Sequence, residues 1–251
     1  MKRRATACAA VTLACLATLL ARGLVVAQTP PAVELGRFSA PSRPDELPSG
    51  WEPLTFKRIE RHTRYTVVPE ADRFVLRAES QASASALYRP LDLPCRAYPV
   101  LSWRWKVDNV LLKADARTRA GDDYPARVYV AFRYDPAAAT LWERAKYGFY
   151  RALYGQYPPR AVVNYVWDNR LPVGTMLPNA YTDRARMIVL QSGPERVGRW
   201  VEERRDVCQD YREAVGGEPP PIAGVAVMTD TDDTGERAVA YYDAITLRPR
   251  E

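Results

Sequence analysis

The segment from Leu101 to Tyr134, LSWRWKVDNVLLKADARTRAGDDYPARVYVAFRY, restricts the fold more than any other part of the chain. Leu101, Trp103, Trp105 and Val107 alternate with Ser102, Arg104, Lys106 and Asp108. Beyond a polar loop carrying Gly121, Asp122 and Asp123, a second run alternates Ala126, Val128, Val130, Phe132 and Tyr134 with Arg127, Tyr129, Ala131 and Arg133. Side chains of a strand repeat with period two, so both runs predict strands with one apolar and one basic, aromatic face. Trp103 and Trp105 belong on the core side. Arg104, Lys106, Arg127, Tyr129 and Arg133 are expected to gather on an open wall, where Arg forks and a phenol ring suit a glycan or an anionic cell-envelope ligand.

The remaining chain agrees with a mainly β protein. Fifteen Tyr, six Trp and 21 Pro against one His favour strands joined by turns. Met1–Ala27 has the layout of a secretory signal: Lys2, Arg3 and Arg4, an apolar run from Ala5 to Ala21, and Val25-Val26-Ala27 before Gln28. Arg22 interrupts the run, which is short for a membrane span. Cleavage therefore leaves a periplasmic or secreted chain with no transmembrane segment. It also removes four of 36 cations, leaving 32 against 30 acidic residues, too balanced for a nucleic-acid partner. Two cysteines remain, Cys95 and Cys208, free either to pair in an oxidising compartment or to stay apart as buried thiols.

Residues 28–50, rich in Pro and Ser, read as a linker or an irregular first edge, and residues 51–251 as one sandwich domain. Strands are expected over Thr55–Ile59, Thr63–Val68, Phe74–Ala78, Ser83–Leu93, Ala161–Asp168, Arg186–Ser192, Ile222–Thr229 and Ala238–Leu247. Helices are expected near 136–156, with Leu141, Ala145, Phe149 and Ala152 at helical spacing, and near 195–215, stopped by Gly216-Gly217. The first is expected to pack on the sandwich, with a lid or membrane-surface role as the alternative.

Catalytic machinery is sparse. His62 lies in a polar stretch without a nucleophile motif, and one His with two distant Cys makes no zinc set. No catalytic residue is assigned. Asp230, Asp232 and Asp233 before Gly235 crowd hard ligands into a turn, a candidate calcium site, although Tyr241 stands where an EF-hand would place its closing Glu. The other reading of this loop is a hairpin whose side chains bond their own backbone. Asp122 and Asp123 are candidates for ligand contact, or for pairing with Arg117, Arg119 or Arg127. With Asp230 and Asp232 they could also form the carboxylate pair of a glycan hydrolase.

SWRWKVD at 102–108, GDDYPARVYVAF at 121–132, NYVW at 164–167 and VMTDTDDTGERAVAYYDAI at 227–245 together resemble DUF3047, a bacterial family of exported proteins of unknown function. The resemblance spans roughly Phe38 to Leu247. It implies a galactose-binding-like jelly-roll β-sandwich and carries no activity with it. The expectation is therefore a non-catalytic binding module for carbohydrate or another envelope component. A glycan-acting hydrolase or a structural protein of the envelope is the alternative.

Overall fold

The structure, a computed structural model, describes residues 30–43, 46–137, 139–141 and 157–250. The expected leader, and most of the expected helix near 136–156, lie outside these residues. In chain order the strands are β1 (Val33–Gly36), β2 (Glu52–Leu54), β3 (Arg64–Glu70), β4 (Arg73–Gln81), β5 (Ala86–Leu93), β6 (Val100–Val107), β7 (Ala126–Phe132), β8 (Ala161–Asp168), β9 (Met176–Pro178), β10 (Ala185–Ser192), β11 (Val201–Asp206), β12 (Ile222–Met228) and β13 (Arg237–Arg248). Among the described residues, the α-helix α1 (Val207–Ala214) follows β11.

Two sheets form. Sheet I runs β11-β6-β13-β4-β3, with β1 also on β13; sheet II runs β2-β5-β12-β7-β8-β10-β9. The chain passes from sheet to sheet along β4, β5, β6 and β7, turns back within sheet II at β8, and alternates again through β11, β12 and β13. The orders β4-β13-β6-β11 and β5-β12-β7-β8 are those of a jelly roll, two interlocked Greek keys. The expected fold class is therefore the observed one.

The inward residues of both sheets meet in one core. Trp103 and Trp105 are buried, edge to face at 5.5 Å, and reach across to Tyr165 and Trp167 of sheet II. Aromatic rings in this tilted geometry add stabilisation beyond the area they remove from water. A disulfide joins Cys95, before β6, to Cys208 in α1, with 5.9 Å between Cα atoms. Pro90 lies in β5 beyond the reach of β2 and beside a bulge in β12, a kind of position where a strand tolerates proline.

Three expectations change. Residues 33–36 of the expected linker form β1, held where the Trp51 indole donates to the Leu35 carbonyl at 2.9 Å. Thr55–Ile59 is not a strand; the pairing residues are Glu52–Leu54. The helix expected near 195–215 is divided: Val201–Asp206 pairs antiparallel with β6, and only Val207–Ala214 is helical. Asp206 ends the strand and caps the helix, accepting from the Gln209 amide at 2.9 Å.

Candidate functional site

The expected basic wall does not assemble. Trp103 and Trp105 of β6, and Val128 and Val130 of β7, all enter the same core. The intervening side chains consequently face opposite sides of the sandwich. Arg104 lies on sheet I, donating to Asp243 Oδ2 at 2.9 and 2.6 Å with its guanidinium 4.4 Å from the Trp200 ring centre. Lys106 lies beside it, bonded to Glu70 and 4.2 Å from the Tyr241 ring centre. Arg133 follows the end of β7, exposed and paired with Asp92 at 2.7 Å. Of the five, Arg127 and Tyr129 lie together within β7 on the outer face of sheet II.

Arg127 is buried on that face. Its Nε donates to Asp230 Oδ1 at 2.7 Å, its Nη2 to Asp230 Oδ2 and the Asp122 carbonyl, and its guanidinium lies 4.2 Å from the Tyr124 ring centre. This cation is consumed by the fold. It ties the loop before β7 to the loop after β12, which lie together because β7 and β12 are paired neighbours.

Asp122 and Asp123 thereby meet the second acidic loop. The Asp123 carboxylate accepts from the Thr234 amide at 2.6 Å and the Asp233 amide at 3.4 Å. Carboxylate oxygens of Asp123, Asp232 and Asp233 lie within 4.8 Å of one another. The Tyr181 hydroxyl donates to Asp233 Oδ1 at 2.5 Å, and Asn179 Nδ2 donates to Asp122 Oδ2 at 2.6 Å. Partial burial, followed by the charges of Asp123 and Asp233, pushes the Asp232 carboxyl up to about 6. Burial also raises Asp122 and Asp233. Such an array can hold a proton, bridge a cation, or offer one protonated and one ionised carboxyl.

Next to this acidic end, the register of sheet II aligns a row on its outer face: Tyr88 of β5, Ala226 of β12, Tyr129 of β7 and Asn164 of β8. Both tyrosine rings are half-buried and the residues between them are small. Tyr88 donates to the Ala223 carbonyl at 2.7 Å, which lays its ring over Gly224. A Cβ at Gly224 would come within 2.3 Å of that ring, so only glycine fits beneath it. The result is a shallow trough floored by Gly224, Ala226 and Ala131 between two phenols.

Tyr88, Gly224 and Ala226 escape sequence reasoning. Their alternation is visible, but strands far apart in sequence become neighbours only through the topology. His62 is exposed and borders a shallow cavity of about 500 Å³ with Arg61, Arg64, Glu79, Gln81 and Ser83.

A family model described as "Protein of unknown function (DUF3047)" matches residues 49–246. No curated protein matches the chain. Among solved structures, it is similar to the family 11 carbohydrate-binding module of cellulosomal cellulase Lic26A-Cel5E of Clostridium thermocellum, at 8% identity over 88% of this chain and 95% of that one, TM-score 0.43. It is also similar to the family 30 module of cellulosomal cellulase Cel9D-Cel44B of Clostridium thermocellum, at 9% identity over 87% and 99%, TM-score 0.43. A third is the xyloglucanase domain of NopAA from Sinorhizobium fredii, at 7% identity over 89% and 100%, TM-score 0.41. Likenesses this distant transfer no ligand, and the jelly-roll assignment stands on strand order alone.

Proposed function

This chain belongs to the DUF3047 family, whose members have no assigned function, and we propose that it is a non-catalytic carbohydrate-binding module whose ligand lies on the outer face of sheet II. The observation that carries the proposal is the row Tyr88–Ala226–Tyr129, with Gly224 beneath the Tyr88 ring. Two partly buried rings separated by small residues offer apolar surface to the flat C–H faces of a sugar. Asp232 and Asp233, partly exposed at the end of the same face, offer acceptors for sugar hydroxyls. The expected leader, together with the Cys95–Cys208 bridge, supports a periplasmic or secreted setting.

The test is a glycan array followed by calorimetry with whichever oligosaccharides bind. Replacing Tyr88 or Tyr129 by Ala is expected to weaken binding by about tenfold or more, the loss expected from removing one anchoring ring. Circular dichroism of each variant checks that the sheets persist. Absence of binding by any glycan, or unchanged affinity in both folded variants, rejects the proposal.

One observation favours a second reading, a glycan hydrolase. Carboxylate oxygens of Asp123 and Asp232 lie within 4.8 Å of each other, and Asp232 is raised to about 6, suited to a general acid. Turnover of a bound oligosaccharide, abolished by Asp232→Asn while binding persists, selects this reading; binding without turnover selects the first.

A further inference from the structure

On the far side of the molecule, Arg96, Arg212 and Arg250 surround a cavity of about 230 Å³ completed by Pro99 and Cys208. The three cations come from unrelated parts of the chain: the β5–β6 loop, α1 and the tail after β13. The disulfide creates the arrangement, because it fixes Cys95, adjacent to Arg96, onto the helix that carries Arg212. Among the described residues, their carboxylate partners number fewer than the cations. Glu218 Oε2 is shared, accepting from Arg96 at 2.9 Å and Arg212 at 3.5 Å, and Asp206 holds Arg250 through Oδ2. Among the described residues, three guanidiniums share two carboxylate groups at the cavity rim.

We infer that this cavity binds a tetrahedral oxyanion, phosphate or sulfate, as the free ion or as a monoester. Planar guanidiniums approaching from three directions can each donate to a different oxygen of a tetrahedral anion, whereas a carboxylate offers only two oxygens. The incoming anion displaces Glu218 from Arg96 and Arg212. Binding is therefore modest and weakens with salt, since all three side chains reach solvent.

Calorimetry at fixed ionic strength with sodium sulfate, sodium phosphate and sodium acetate tests this. One sulfate or phosphate per chain is expected, about tenfold tighter than acetate. Arg212→Ala and Arg250→Ala are each expected to weaken it several-fold, and Glu218→Gln to strengthen it by removing the competing carboxylate. Reduction of the disulfide is expected to weaken it, with circular dichroism confirming that the sheets survive. Sulfate no tighter than acetate, or affinities unchanged in the two arginine variants, overturns the inference. So does a Glu218→Gln variant that binds no better than the parent. Sedimentation with phosphatidylglycerol vesicles separates a lipid headgroup from the small anion: capture by vesicles that inorganic phosphate fails to compete away also overturns it.

Discussion

Arg127 carries more of the structure than its place on an outward-facing strand position suggests. Its guanidinium and the Asp230 carboxylate are both buried and joined through two donors, with the Tyr124 ring against one face. A buried pair of this kind contributes little relative to an apolar replacement of both partners, but loss of one partner strands the other charge away from water. Arg127→Met is therefore expected to destabilise the fold by about 3–5 kcal/mol. Arg127→Met with Asp230→Leu is expected to recover most of that loss. Urea denaturation of the three proteins checks the cycle; a double variant as unstable as the single one would show that the loss is packing and not stranded charge. The sequence marks Arg127 correctly as outward. It gives no sign that outward is not exposed here, because the cover, from the loops around Tyr124 and Asp122, is a tertiary feature.

At the level of elements, the loop between β12 and β13 couples stability to pH. The Asp232 carboxyl is raised to about 6, chiefly by burial, against about 3.9 for an Asp in an unfolded chain. Between these values the folded state holds a proton that the unfolded state has released. The stabilisation is thus present at low pH and lost as pH rises through about 6. Asp122 and Asp233, also raised, act with the same sign. The melting temperature is expected to fall between pH 5 and pH 7.5, and Asp232→Asn to flatten that slope; an unchanged slope in the variant refutes the assignment. The calcium expectation named Asp230 with Asp232 and Asp233, but Arg127 occupies the Asp230 carboxylate and Asp123 lies beside the other two instead; a cation bridging Asp123, Asp232 and Asp233 would raise the melting temperature at pH 7.5 and hardly at pH 5. Equal melts with calcium and with chelator dismiss it. The neighbouring element β11 shows how a local pattern misleads. Its central residues, Glu202 to Arg205, are good helix formers, yet they pair with β6 because that edge of sheet I needs a partner. The charges it turns inward are satisfied: Glu203 accepts from Gln191 at 2.6 Å and Arg205 donates to Asp210 at 3.0 Å, an arrangement that also discourages further strand pairing at the edge.

At the level of the whole molecule, period-two alternation made the strands and their inward residues readable. Ala161–Asp168 has the expected bounds, and Trp103 and Trp105 are in the core as their position in the pattern requires. Alternation is silent on which sheet a strand joins. The jelly roll sends β6 and β7 to different sheets, which separated Arg104 and Lys106 from Arg127 and Tyr129 and brought Tyr88 beside Ala226 instead. The same long-range topology gives the disulfide its leverage. Cys95 and Cys208 are 113 residues apart, and the closed loop contains every strand from β6 to β11, drawn from both sheets. A bridge around so much of the sandwich restricts the unfolded chain more than a local one does, and contributes about 4–5 kcal/mol in all on the chain-entropy account. Cys95→Ala with Cys208→Ala, which leaves small apolar groups in a buried site, is expected to lose a large part of that stability while keeping the fold. Urea denaturation of the oxidised parent and the double variant measures it. A difference below about 1 kcal/mol would mean that the unfolded chain is already compact across this loop, so that the bridge removes little freedom from it.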